Sequence, residues 1–143
     1  MVQEMKRLPD WRARLAAEMD RQRRLSFSWG EQDCALGLAG GAVLAMTGVD
    51  LTADWRGRYG TAGEAAEALH AAGFQSLSDA VAEVLPERTN LLSAAVGDIG
   101  VIRSDGILGE ALCIVDVSGL IVMTEHGHGR RARGDMIRAF RVG

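Results

Sequence analysis

The spacing of apolar residues in the first part of the chain has the period of an α-helix. Trp11, Leu15 and Met19 recur every four residues, so their side chains fall on one helical face. Pro9 suits a first helical position. The pattern predicts an amphipathic helix that runs from this proline to about residue 24.

The most apolar stretch of the chain predicts a second, central helix. Between Asp33 and Thr47 almost every residue is apolar or glycine. Asp33 is a good N-cap, and Gly48 suits the position just after a helix C-terminus. A helix that is apolar on all sides belongs in the middle of a domain.

Two capping signals predict further helices. Thr61-Ala62-Gly63-Glu64 is a capping box, in which the threonine caps and the glutamate reaches back. That helix should stop at Gly73. Ser76 repeats the signal more weakly, and the helix that it opens should end before Pro86.

Short β-rich runs dominate the second half of the chain. They cover residues 99–102, 111–115, 120–123 and 136–142. Glycine-containing pairs separate the first three of these runs and predict hairpin turns between them. Helices first and an antiparallel sheet second predict an α+β fold. Since neither a repeat nor a linker interrupts the pattern, we expect a single domain over residues 1–143.

Composition and charge narrow the classes of function. Hydrophobic residues make up 48% and charged residues 24%, as in ordinary globular proteins. The net charge of −3 argues against a nucleic-acid binder, which carries a basic excess. The N-terminal residues lack the apolar core of a signal peptide. No stretch approaches the about 20 apolar residues of a membrane helix. We therefore expect synthesis in the cytoplasm and no membrane span.

Cysteines and histidines are few. Cys34 and Cys113 allow at most one disulfide, and Cys113 on an apolar strand is interpreted as core. His70, His126 and His128 form no paired zinc signature. We expect His70 to lie at the surface. We expect the glycine-flanked pair His126 and His128 to lie in a flexible loop. We expect no metal and no cofactor.

Cys34 is the strongest candidate for chemistry, because it directly follows the predicted N-cap Asp33. The free N–H groups and the dipole at a helix N-terminus stabilise a thiolate. Trp29 and Gly30, just before it, predict a bend and an aromatic wall for a groove. The competing interpretation is that Cys34 is a small core residue in an apolar helix.

Two segments carry a resemblance to a known family. Residues 27–34, Phe-Ser-Trp-Gly-Glu-Gln-Asp-Cys, resemble the stretch by which NlpC-type (papain-like) cell-wall cysteine peptidases present their cysteine. Residues 96–102 resemble the family's glycine–aspartate turn into its first core strand, and residues 111–115 resemble the next strand. The resemblance covers roughly residues 25–124 in matching order.

This resemblance implies a papain-like NlpC-type domain, with N-terminal helices packed on a small antiparallel sheet. It places Cys34 at the nucleophile position. It also implies binding roles for Trp29, Gly30, Asp33 and Asp98. From the residues alone, Asp98 is most simply a turn residue that hydrogen-bonds its own backbone.

One position departs from the family's pattern. Active members begin the second core strand with a histidine that takes the thiol proton, and by order and spacing this chain has Ala111 there. Alanine neither accepts nor donates a proton. His126 and His128 follow the third strand, and both are candidate bases because a catalytic triad is defined by geometry.

The favoured hypothesis is a non-catalytic tail protein. Small NlpC-like domains without the strand histidine resemble a group found in the tail modules of bacteriophages and gene transfer agents. This resemblance implies a pseudoenzyme in the virion tail that contacts tail-tip and hub proteins through an apolar patch.

Two other hypotheses remain open. The first is an active cysteine peptidase or amidase that cuts peptidoglycan peptides, with Cys34 as nucleophile and His126 or His128 as base. Backbone N–H groups at the helix start would then hold the oxyanion. The second is a stand-alone domain that binds a cell-wall peptide in the groove, or acts as an inhibitor, without cleaving it.

Overall fold

The computed structural model describes residues 2–143. Its α-helices are α1 (Trp11–Gln22), α2 (Gly40–Thr47), α3 (Ala62–Ala71) and α4 (Leu77–Val84). Its strands are β1 (Ile99–Arg103), β2 (Glu110–Asp116), β3 (Gly119–Thr124), β4 (Gly127–Arg131) and β5 (Met136–Phe140). A π-helical segment, Cys34–Ala39, runs directly into α2, and short 3₁₀ turns cover Leu91–Ser93 and Arg133–Asp135. The predicted α+β class is confirmed.

The five strands form one sheet in the order β4-β3-β2-β1-β5, and all neighbours are antiparallel. Hairpins join β1 to β2, β2 to β3 and β3 to β4. The last strand, β5, returns to the other side of β1, where Phe140 lies opposite Ile99. Strand β2 is therefore the middle strand of the sheet.

Both faces of the sheet are buried in the middle. Leu112 and Ile114 of β2 pack with the core that the helices form, whereas Cys113 and Val115 pack in a second cluster on the opposite face. Successive side chains of a strand point to opposite faces, so a strand buried on both sides is apolar at every position. Cys113 is fully buried, which confirms its interpretation as a core residue.

The predicted central helix is confirmed, with one difference at its start. Asp33 caps it through its side chain, and Gly48 ends it in the left-handed conformation, with φ of 80°. The difference is that its first six residues are π-helical. The N–H of Leu38 reaches the carbonyl of Asp33, five residues back, at 3.0 Å, and this widens the opening turn.

The other predicted helices also form. Thr61 accepts a hydrogen bond from the N–H of Glu64, whose carboxylate reaches back to the N–H of Gly60 at 2.9 Å. Ser76 caps α4 through the N–H of Asp79. The first helix begins two residues later than predicted from the proline. No helix among residues 2–143 is both long enough and apolar enough to span a membrane.

The prediction of a flexible loop around the glycine-flanked histidines is wrong. Residues from Gly127 onward form the edge strand β4, in which His128 pairs with Met123. Only His126 lies in the turn, where it is exposed. The sequence of β4 is polar and glycine-rich, so its extended form depends on the partner strand rather than on its own propensity.

Candidate functional site

Asp33 is the polar centre of the segment before the cysteine. One carboxylate oxygen accepts from the N–H groups of Ala35 (3.0 Å) and Leu36 (2.7 Å). The other accepts from the N–H of Gly30 (3.0 Å) and the hydroxyl of Tyr59 (2.7 Å). These four donors satisfy a carboxylate that is only 1% exposed. Asp33 therefore caps the central helix and ties the Tyr59 loop to it.

Gly30 brings the same loop close to the cysteine segment. Its φ is +84°, and a Cβ at this position would collide with the carbonyl of Tyr59. Its own carbonyl accepts from the N–H of Gly57 at 3.0 Å. Both the conformation and the close approach require glycine. The predicted bend is thus present, and Trp29 beside it stacks edge-on against Phe27, with ring centroids 5.1 Å apart.

Cys34 opens the π-helical segment and packs against the core between helices and sheet. Burial raises the pKa of its thiol to about 12, and the charges of Asp33 and Glu110 act in the same direction. The backbone N–H of Leu112 in β2 approaches the sulfur and opposes this rise only in part. The thiol is therefore held protonated at neutral pH.

Two of the N–H groups at the start of the central helix are already occupied. Ala35 and Leu36 donate to Asp33, so they do not point to an open oxyanion site. An oxyanion held here would have to displace the cap. Against the expectation that the helix N-terminus stabilises a Cys34 thiolate, the pKa of the thiol is raised, because burial outweighs the backbone N–H groups.

Ala111 lies on the opposite face of the sheet from Cys34. It packs with the second cluster, beside Ile102 and Cys113, whereas its neighbour Leu112 packs on the helix side. A one-residue shift along a strand changes the face. Ala111, which order and spacing put at the family's histidine position, therefore points away from the thiol, and the β2 side chain that lines the cavity with Cys34 is that of Leu112. This side chain also has no proton to exchange.

His128 is bonded to a buried glutamine. Its Nε2 lies 3.0 Å from Oε1 of Gln22. The Nε2 of Gln22 donates to Glu18 (2.7 Å) and to the carbonyl of Gly37 (2.9 Å). The glutamine oxygen is thus the acceptor, and Nε2 of His128 carries the proton. Burial, followed by the charge of Arg23, lowers the pKa of His128.

The other histidines are not at the thiol either. His126 is exposed, and its backbone N–H bonds the hydroxyl of Thr124. His70 is exposed on α3, as predicted. Within residues 2–143 no histidine hydrogen-bonds Cys34, and no group of three His, Cys, Asp or Glu is placed to hold a metal ion.

Asp98 is buried in a structural cluster and does not line the cavity beside Cys34. It accepts from Arg7 (3.1 Å), Arg88 (3.1 Å) and the N–H of Val142 (3.2 Å). The predicted turn bond is present, since the N–H of Ala95 donates to the same carboxylate at 2.9 Å. The binding role expected for Asp98 is therefore corrected: it joins both ends of the chain to the turn before β1.

An apolar cavity of about 110 Å³ lies beside Cys34, between the helices and the sheet. Trp29 and Asp33 line it together with the cysteine. Helices α3 and α4 and the first two strands contribute to the wall through residues that include Leu69, Val81, Ile99 and Leu112, and the central helix and the loop before α3 supply much of the rest. Of the four binding residues named from the family resemblance, two line this cavity, Gly30 lies beside it and Asp98 is elsewhere.

Sequence reasoning missed two residues of this region. Gln22 falls on the same helical face as Leu15 and Met19, so its position in the apolar pattern was a signal that it is buried. Tyr59 gave no such signal, because it belongs to a connector whose path only the folded chain defines. Leu112 was visible as an apolar strand residue, but the face that it occupies was not.

The fold and site define an α+β protein in which a partly buried cysteine opens the central helix and packs beside an apolar strand. More particularly, the chain belongs to the family described as Domain of unknown function (DUF6950), whose model matches residues 6–142. The match spans all the site residues from Gln22 to His128. No curated protein and no solved structure matches this chain.

Proposed function

We propose that this protein is a non-catalytic, NlpC-like module that serves as a structural component of a phage or gene-transfer-agent tail. The observation that carries the non-catalytic part is the surroundings of Cys34: Leu112 lines the cavity beside it, and within residues 2–143 no histidine hydrogen-bonds its thiol. The tail location is supported by the family resemblance of residues 27–34 and 96–102, combined with the missing strand histidine.

Proton chemistry at Cys34 argues against peptidase activity. With a pKa of about 12, only about one thiol in 10⁵ is ionised at pH 7. A cysteine peptidase needs the thiolate as nucleophile and a base within hydrogen-bond reach. Here the strand residue that lines the cavity with Cys34 is Leu112, and His128 bonds Gln22 instead.

The polar residues before the cysteine have structural partners. All four bonds to Asp33 come from the protein itself. Gln32 donates to Gln22 at 3.3 Å, and its backbone N–H bonds the hydroxyl of Ser28. These contacts account for a polar stretch beside an apolar helix without catalysis, because each group supports the shape of the segment.

Thiol reactivity tests the non-catalytic part. In the variant Cys113→Ala, Cys34 is the single thiol, and we expect iodoacetamide to alkylate it at least about tenfold more slowly at about pH 7.5 than N-acetylcysteine. Release of stem peptides from purified peptidoglycan should be absent. Alkylation faster than that of N-acetylcysteine, with peptide release that Cys34→Ser abolishes, would instead establish the peptidase.

Particle composition tests the tail location. Immunogold labelling of purified particles should place the protein at the tail, and purified hub protein should bind wild type and Cys34→Ser equally. Absence from purified tails would overturn the location. An assembly defect specific to Cys34→Ser, in a variant that folds normally, would overturn the non-catalytic assignment.

A further inference from the structure

The cavity beside Cys34 is larger than normal packing leaves. Protein interiors are close-packed and contain few voids larger than one water molecule. A water needs about 10–15 Å³ measured in this way, and this cavity has about 110 Å³. The space, which opens to solvent beside partly exposed wall residues, therefore has room for a group of several heavy atoms.

The polar atoms around the cavity are satisfied by the protein. Tyr59 donates to Asp33, and the hydroxyl of Thr52 bonds Asp50 (3.0 Å) and Arg56 (2.9 Å). Within the described chain every buried side-chain nitrogen and oxygen has a hydrogen-bond partner. The walls themselves therefore offer water few polar partners. The walls therefore suit an apolar occupant.

Partly exposed residues of the cavity wall include three aromatic side chains. Trp29, Trp55 and Tyr59 all line the cavity and are only partly buried. Trp55 packs against Phe74, with ring centroids 6.4 Å apart, and Tyr59 is held by Asp33. Two of these three aromatic side chains are thus held in place by contacts with the protein.

We propose that this cavity is a binding site for one small apolar group, about the size of a benzene ring or a leucine side chain. An apolar cavity of about 150 Å³ in another protein stays dry and binds benzene, which sets the scale. A free hydrophobic molecule and a side chain presented by a peptide share this chemistry. The inference needs neither chemistry at Cys34 nor a tail partner, so it stands apart from the proposed function.

Methyl NMR on the whole chain tests this site with two probes, toluene and N-acetyl-leucinamide, and N-acetyl-lysinamide as control. We expect toluene to shift the methyl signals of Leu112 and Val81, which line the cavity. Those of Leu120 and Val122, on the opposite face of the sheet, should not move. Binding of toluene alone identifies a free hydrophobic molecule as the ligand type, and binding of both probes but not the control identifies a presented side chain.

A matched pair of substitutions on α4 localises the binding. Ala80 lines the cavity, whereas Ala82 is similarly half-buried against the same core but does not line it. Ala80→Leu should weaken toluene binding at least about tenfold, and Ala82→Leu should leave it within about twofold. Val84→Phe fills the cavity from a second wall position and should act like Ala80→Leu.

Two results would overturn the site. One is wild-type protein whose Leu112 and Val81 methyl signals do not respond to either probe up to the solubility limit. The other is unchanged toluene affinity in Ala80→Leu or Val84→Phe, with circular dichroism showing that the variant is folded. The wild-type measurement decides the matter even where a variant does not fold.

Discussion

Asp33 combines two tasks in one side chain. Its carboxylate caps the central helix through Ala35 and Leu36, and it holds Gly30 and Tyr59 in place. A buried carboxylate is tolerated only when its lone pairs are satisfied. The aspartate before the cysteine is therefore a structural requirement of the fold at this point, whatever the cysteine does.

Asp33→Asn tests this role at the residue scale. The amide NH₂ cannot accept hydrogen bonds, so either the helix cap or the Gly30 and Tyr59 donors lose their partner. We expect the free energy of unfolding to fall by about 2–4 kcal/mol, measured by urea denaturation. Asp50→Asn, at a loop carboxylate with similar local bonds, should cost less than about 1 kcal/mol. Equal losses would contradict the assignment.

At the scale of elements, the π-helical segment packs closely against the polar residues around it. Gly37 has no side chain at the point where the backbone of Gln32 passes, and its carbonyl accepts from Gln22 of α1. Gly41, one turn later, leaves room for Glu18 and Gln22. The small residues of the central helix thus admit a polar side of α1 rather than another apolar surface.

Gly37→Ala should destabilise the protein, although alanine is the better helix former. Its Cβ would lie 2.7 Å from Cα of Gln32, and backbone cannot move away cheaply. We expect a loss of about 1–3 kcal/mol in chemical denaturation. Gly63→Ala in α3, where a Cβ would come no closer than 4.0 Å to Thr61, should instead gain about 0.5 kcal/mol. A stabilised Gly37→Ala would refute the close packing.

At the scale of the whole molecule, one series of hydrogen bonds joins the last hairpin to the first helix and the central helix. His128 on β4 bonds Gln22 on α1, and Gln22 bonds the carbonyl of Gly37. The histidine and the glutamine are 106 residues apart in sequence, so their bond forms only in the folded state. The histidine makes this link sensitive to pH.

Stability should fall as the solution is acidified below the ordinary histidine pKa of about 6.5. The folded pKa of His128 is lowered by burial and by Arg23, so the unfolded chain binds more protons between the two values. The free energy of unfolding should fall from about pH 6.5 down to the pKa of His128 in the folded protein, by at most about 1.4 kcal/mol per pH unit. His128→Gln retains a donor for Gln22 but does not titrate. The free energy of unfolding of this variant, measured by urea denaturation, should therefore depend less steeply on pH. Equal slopes would refute this role.

The sequence by itself determined most of the secondary structure. Apolar periodicity and the caps at Asp33, Thr61 and Ser76 placed the helices, and the runs at 99–102, 111–115, 120–123 and 136–142 placed four of the strands. These signals are local, since each depends on residues within a few positions of one another. For the same reason Asp33 and Cys34 stand out in the sequence, because a capping residue and its helix are neighbours along the chain.

Only the tertiary structure decided which residues meet at the site. Strand β4 forms because β3 pairs with it. Strand register decides that Leu112, and not Ala111, lies on the face of the sheet that the helices cover. The raised pKa of the Cys34 thiol comes from burial, which no local pattern specifies. Contacts between distant segments and the exclusion of water arise from packing of the whole chain, so the site's chemistry followed from the fold.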